Sequence, residues 1–165
     1  MGLRKTELLL PRFLNNNKGG QVLVMETNAM EIGYELPPIV KKITSEGMLN
    51  YSARHGGTFL PNIHTDKNVA RRFGFPDIVL MATQSLNYAN ELLFKVYREH
   101  WIKNSSIQGS FIKSVFLGDT LTIRGVVKEK NIEKSKIKLV IDIWSENTAG
   151  DKTMVGKAVV TIPEG

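Results

Sequence analysis

Residues 62–101 read NIHTDKNVARRFGFPDIVLMATQSLNYANELLFKVYREHW. A short polar loop carries His64, Asp66 opens a brief helix, Gly74 and Pro76 break it, and a second, long helix runs from about Asp77 to about His100. Asp66 and Asp77 are both good N-cap types standing before apolar-periodic runs, and Pro76 sits where a helix can begin but not easily continue. In the long helix Ile78, Met81, Ala82, Leu86, Ala89, Leu93, Val96 and Tyr97 recur at spacings of three and four, with Gln84, Asn87, Asn90, Glu91 and Lys95 between them. At 1.5 Å per residue such a helix is about 36 Å long, enough to cross a small domain. Two helix starts therefore lie close to one histidine.

Outward from this stretch, little else reads as helix. On the N-terminal side, residues 1–20 end in Asn15-Asn16-Asn17 and Gly19-Gly20 and read as an extension, leaving 21–165 as one domain. Gln21 to Thr27 is strand-like, Pro38 to Ile43 is extended, and Thr44 or Ser45 caps a short helix over Glu46 to Arg54 that ends at Gly56 and Gly57. On the C-terminal side the period changes from 3.6 to 2. Strands are expected at Ile107 to Leu117, Thr120 to Glu129, Lys136 to Trp144 and Met154 to Ile162, joined by short turns in an antiparallel meander. The alternation is clearest where Ile137, Leu139, Ile141 and Ile143 oppose Lys136, Lys138 and Asp142. One long helix among many strands predicts an α+β fold with a sheet curled around that helix.

Composition narrows the function classes. The chain has 165 residues, an ordinary apolar fraction of 42%, and no cysteine, which excludes disulfides, thiolate metal sites and cysteine nucleophiles. His55, His64 and His100 are scattered, so no metal site is expected, and neither Gly-x-Ser-x-Gly nor a phosphate-loop spacing occurs. Leu8 to Leu10 is too short for a signal peptide core and no later run approaches a membrane span, so the expectation is a soluble cytoplasmic protein with no membrane partner. The net charge of +6 favours anionic partners, and much of it sits in Lys128, Lys130, Lys134, Lys136 and Lys138. These lysines read as a solvated outer sheet face or hairpin tip, or as a contact for a nucleotide phosphate. There is no recognition-helix pattern, zinc spacing or aromatic pairing of the RNA-binding kind, so no nucleic-acid partner is expected.

Several segments in order resemble the MaoC-like branch of the hotdog-fold hydratases and dehydratases. They are Gly33-Tyr34-Glu35-Leu36-Pro37-Pro38, Ile63-His64-Thr65-Asp66, Ala70 followed by Gly74-Phe75-Pro76, Val115-Phe116-Leu117-Gly118-Asp119-Thr120-Leu121, and Glu146-Asn147. The resemblance covers nearly the whole chain after the extension. It implies an antiparallel sheet wrapped around one central helix, a substrate that is an acyl thioester of coenzyme A or acyl carrier protein, no cofactor, and pairing into dimers. In that family an aspartate five residues before the histidine pairs with it, an asparagine helps hold them, and a glycine at the central helix start offers its N–H to the thioester carbonyl. The carboxylate and imidazole then divide the proton work at C2 and C3, and the helix start stabilises the enolate oxygen.

Carried onto this chain, the histidine is His64. Phe59 stands five residues before it, or Thr58 if the alignment shifts, and neither is a carboxylate. Pro61 takes the asparagine position with Asn62 beside it, and Met81-Ala82 takes the helix-start His-Gly position. The resemblance thus implies His64 and Asn62 as catalytic residues and Ala82, Met81 and Thr58 as substrate-binding ones. His64 reads either as a general base or as a loop residue bonded to backbone, and Asp66 as an N-cap. Two functions follow: an enoyl-thioester hydratase or dehydratase with an incomplete motif, or a non-catalytic subunit that binds thioester or stabilises a catalytic MaoC-like partner, as a homodimer or heterodimer.

Overall fold

The computed structural model describes residues 14–15, 21–22, 31–54 and 60–163. A two-stranded antiparallel piece pairs β1 (Leu14–Asn15) with β2 (Gln21–Val22); the rest of the strand expected at Gln21 to Thr27 lies outside the described residues. The main body is a five-stranded antiparallel sheet in the order β3-β5-β6-β7-β4. Its strands are β3 (Ile39–Lys42), β4 (Ser105–Phe111), β5 (Thr120–Glu133), β6 (Lys136–Glu146) and β7 (Lys152–Pro163). Helices α1 (Ser45–Arg54), α2 (Lys67–Arg72), α3 (Ala82–Tyr97) and α4 (Glu99–Lys103) come between β3 and β4.

The period-2 pattern places the core. Leu121, Ile123 and Val127 of β5, Leu139, Ile141 and Ile143 of β6, and Met154, Ala158 and Val160 of β7 bury their side chains together with Ala89, Leu92, Leu93 and Tyr97 of α3. Each large side chain buried this way contributes on the order of 1.5–3 kcal/mol, before the entropy of ordering it. β7 and β4 pair antiparallel with Gly109 and Gly156 directly opposite each other. A Cβ at Gly156 would stand 2.3 Å from the Gln108 carbonyl oxygen, so only a glycine lets the two strands approach this closely.

Three expectations are corrected in detail. First, β5, β6 and β7 form a meander, but β4 crosses to the far edge and pairs with β7 rather than with β5. Second, the long helix begins at Ala82, not Asp77: Ile78, Val79 and Leu80 are extended and bond to residues 115–117, so tertiary strand pairing overrides the cap signal. The Asp77 carboxylate instead accepts from the Ile78 N–H and pairs with Lys67 at 2.5 Å. Third, the helix stops at Tyr97, and Arg98, at φ 53° and ψ −129°, turns the chain into α4. Elsewhere the local signals hold. Asp66 caps α2 by accepting from the N–H groups of Asn68 and Val69, and Thr44 accepts from the Gly47 N–H at the start of α1. Lys134 and Ser135, both at positive φ, make the two-residue turn joining β5 to β6. Lys128, Lys134, Lys136 and Lys138 are exposed around that hairpin, and Lys130 pairs with Glu31.

Candidate active site

A ladder of backbone bonds sets the site. The Val79 N–H donates to the Ile63 carbonyl, the Leu80 N–H to Val115, and the Leu117 N–H to Ile78. The Gly118 N–H in turn donates to Ile43, whose own N–H donates to Asp119. These bonds clamp the histidine loop, the run into α3 and the turn before β5 side by side. The Asn62 side chain completes the loop: its Oδ1 accepts from the His64 N–H at 2.8 Å, and its Nδ2 donates to the Leu60 carbonyl. This local turn orients the His64 backbone.

His64 Nδ1 lies 2.8 Å from the Val79 carbonyl oxygen. A carbonyl only accepts, so Nδ1 carries the hydrogen, and in the neutral ring Nε2 is left with a free lone pair. The ring faces a cleft of about 310 Å³ whose walls also include Leu80, Ala82, Ser85, Phe111, Lys113 and Thr153. Ala82 is the first residue of α3, and the Met81 cap makes no side-chain hydrogen bond, so the helix start presents unsatisfied N–H groups and the positive end of its dipole. A proton acceptor and an anion-stabilising helix start therefore share one cavity.

The charge balance of the cleft is simple. Lys113 pairs with Asp151 at 2.5 Å at the rim, and this hydrogen bond, with a second from Asn147, holds the Asp151 carboxyl below its ordinary value. Among the described residues lining the cleft, none carries a carboxylate. No group of three or more His, Asp or Glu residues among the described residues could hold a metal ion.

Of the residues singled out from the sequence, His64 and Ala82 meet in this cleft, whereas Asn62 and Met81 do not line it: Asn62 holds the His64 backbone and Met81 caps α3. Thr58 and Phe59 lie outside the described residues, and Pro61 is exposed. Ser85 was not anticipated. It stands three residues after Ala82 and four before Ala89, the spacing of a buried helix face, but a serine gives no hydropathy signal to mark it.

An antiparallel sheet curled around one helix, with a site at the helix start, defines a hotdog-fold domain. Residues 36–147 match the model of the MaoC like domain, and the chain belongs to the MaoC-like family. The fold is similar to the (R)-hydratase from A. caviae involved in PHA biosynthesis, at a TM-score of 0.67 and 21% identity over 81% of this chain and 97% of that one. It is similar also to the MaoC-like dehydratase from Rhodospirillum rubrum, at 0.67 and 14% over 83% and 95%. A third similar structure is the ChsH1-ChsH2 complex from Mycobacterium tuberculosis, at 0.64 and 15% over 81% and 97%. No curated protein sequence matches the chain. No helix among the described residues is long and apolar enough to cross a membrane.

Proposed function

We propose that this chain is a hydratase or dehydratase of the hydro-lyase type acting on an enoyl or hydroxyacyl thioester of coenzyme A or acyl carrier protein. The observation that carries the reading is the His64 ring, held through Nδ1 on the Val79 carbonyl, in the same cleft as the uncapped start of α3. In the hydration direction, Nε2 of His64 takes a proton from water as the water oxygen bonds to C3. The electron pair of the C2–C3 double bond moves to the thioester oxygen, where the helix start and the Ala82 N–H stabilise the negative charge. The imidazolium then returns its proton to C2, so one imidazole closes the cycle without a second acid. Asn62 acts through the backbone by orienting His64, and Met81, the cap of α3, stands next to the acyl group.

One observation favours a second reading, a non-catalytic subunit that binds thioester or stabilises a catalytic MaoC-like partner: the described lining of the cleft has no carboxylate. The same partner chemistry suits the exposed edge of β4, where Phe111 and Ile112 are 43% and 57% exposed beside the cleft. A second copy, or another MaoC-like chain, pairing along that edge would bury them and add its own side chains to the site. Thioesters of this kind accord with a cytoplasmic location.

The test is hydration of crotonyl-coenzyme A and of longer enoyl thioesters, followed as loss of the 2-enoyl absorbance. Wild-type turnover is expected, with a decrease of about 10²–10⁴-fold in His64→Ala, the usual contribution of a positioned base. Folded wild-type protein that turns over none of these thioesters overturns the stand-alone enzyme. Turnover that appears only after copurification with a second MaoC-like chain moves the assignment to the subunit reading.

A further inference from the structure

The inner face of α3 is apolar at Ala89, Leu92, Leu93 and Tyr97, yet its first turn buries two polar side chains, Gln84 and Ser85, each 5% exposed. Gln84 is partly satisfied: its Nε2 donates to the Gly47 carbonyl at 3.3 Å and to the Tyr88 hydroxyl at 2.9 Å. Among the described residues the Ser85 side chain makes no hydrogen bond, not even to the carbonyl four residues back that a helical serine can use. Among the described residues the one fully buried side-chain polar atom without a partner is Gln84 Oε1; the Ser85 hydroxyl also has no partner but keeps access to the cleft, where a ligand can reach it. Ser85 lines the same cleft as His64 and Ala82, one turn inside the uncapped start of α3.

We propose that Ser85 is a substrate-contacting residue whose hydroxyl donates to the thioester carbonyl oxygen alongside the main-chain N–H of Ala82. The inference rests on the thioester reading above and assigns it a donor that the helix start alone does not supply. Ala82 and Ser85 lie three residues apart on one helix face, so a backbone N–H and a hydroxyl meet at one end of the cleft. The O–H···O bond strengthens as the carbonyl oxygen gains charge on the way to the enolate, so its effect falls on the rate rather than on ground-state binding. His64 handles the proton; Ser85 handles the oxygen.

The experiment compares Ser85→Ala and Ser85→Thr with wild type in three measurements. In crotonyl-coenzyme A hydration, Ser85→Ala is expected to lower kcat by about 10²-fold with KM little changed, the usual result of losing one such donor, while Ser85→Thr, which keeps the hydroxyl, retains most of the rate. With butyryl-coenzyme A, which cannot react, the infrared band of the bound thioester carbonyl is expected to lie below that of the free ligand in wild type and to move back toward it in Ser85→Ala. In urea, Ser85→Ala is expected to be about as stable as wild type, because the hydroxyl it removes holds no other group of the described residues in place.

A wild type that hydrates nothing, yet shows the Ser85-dependent carbonyl shift with butyryl-coenzyme A, overturns the hydratase reading and keeps Ser85 as the thioester contact. A wild type that hydrates crotonyl-coenzyme A, with Ser85→Ala equally fast and the carbonyl band unmoved, overturns the Ser85 assignment and leaves the hydratase reading standing. A Ser85→Ala protein clearly less stable than wild type overturns the assignment by showing a structural role. Absence of both turnover and butyryl-coenzyme A binding overturns the two together.

Discussion

Gly156→Ala tests whether the close approach of β7 to β4 at the opposed glycines demands glycine at 156. The added Cβ would stand 2.3 Å from Gln108 O, 3.0 Å from Gly109 Cα and 3.2 Å from Gln108 C, all of them backbone atoms. Carbon and oxygen in even a close sheet contact stay about 3.3 Å apart or more, so the strands must separate by about 1 Å. Overpacking of this kind costs about 1–3 kcal/mol, and each ladder group left without its partner adds about 1–3 kcal/mol. The loss of glycine's freedom in the unfolded chain offsets about 0.4–1 kcal/mol of this. The expected net destabilisation is about 2–4 kcal/mol, or a fall of roughly 4–16 °C in Tm for a chain of this length.

Gly109→Ala is the internal control. Its Cβ would meet Leu86 Cδ1 at 3.3 Å and Met154 Sδ at 3.5 Å, the ends of flexible side chains, so a change within about 1 kcal/mol is expected. Urea unfolding followed by the fluorescence of Trp101 and Trp144 measures both. Two variants that unfold within about 0.5 kcal/mol of each other would refute the argument that backbone contact, rather than strand propensity, demands glycine at 156. Because β4 leads directly into Phe111, Ile112 and Lys113 of the cleft wall, Gly156→Ala should also weaken thioester binding where Gly109→Ala does not.

Arg98 holds φ 53° and ψ −129°, a region costly to residues with a Cβ, so Arg98→Gly is expected to stabilise the protein by up to about 1 kcal/mol in the same urea assay, and a destabilised variant would place the side chain's contact with Phe94 above the backbone strain. Glu146 is held below the ordinary carboxylate value first by the Trp144 indole N–H at 2.6 Å and then by Arg124. Its folded value is the lower one, so its stabilisation is present above the unfolded carboxylate range and is lost as pH falls through the depressed folded value. Urea midpoints measured from about pH 6 to about pH 3 should therefore fall, and fall less steeply in Glu146→Gln; equal slopes would dismiss the coupling. Tyr97 is raised above its ordinary value of 10.0 by burial, so its stabilisation is complete below that value and lost as pH rises beyond it. Alkaline unfolding that starts above pH 10 in wild type should be shallower in Tyr97→Phe.

Where side-chain pattern alone decides structure, the sequence could be read. Ile137, Leu139, Ile141 and Ile143 alternate as a strand with one buried face, and Asp66 caps α2 by local hydrogen bonds that need no distant partner. Asp77 carries the same cap signal, but whether Ile78 to Leu80 joins a helix or pairs with residues 115–117 depends on chain more than thirty residues away. The place of β4 beside β7 was hidden for a similar reason: periodicity identifies a strand without naming its neighbour. At the site, the resemblance selected His64 and Ala82, which share a cleft. The orientation of the ring on Val79 and the unpaired hydroxyl of Ser85 are matters of geometry that residue types do not carry.

The backbone clamp joining Ile63 to Val79, and residues 78–80 to 115–117, has a consequence for how such a protein can vary. Everything from Thr65 to Asp77, including all of α2, leaves the clamp at one end and returns at the other. The excursion can gain or lose residues while the histidine and the start of α3 keep their spacing, since closing a longer loop adds only about 0.6 kcal/mol per doubling. Length changes there are the tolerant route by which this scaffold would acquire a different mouth without disturbing the two groups behind it.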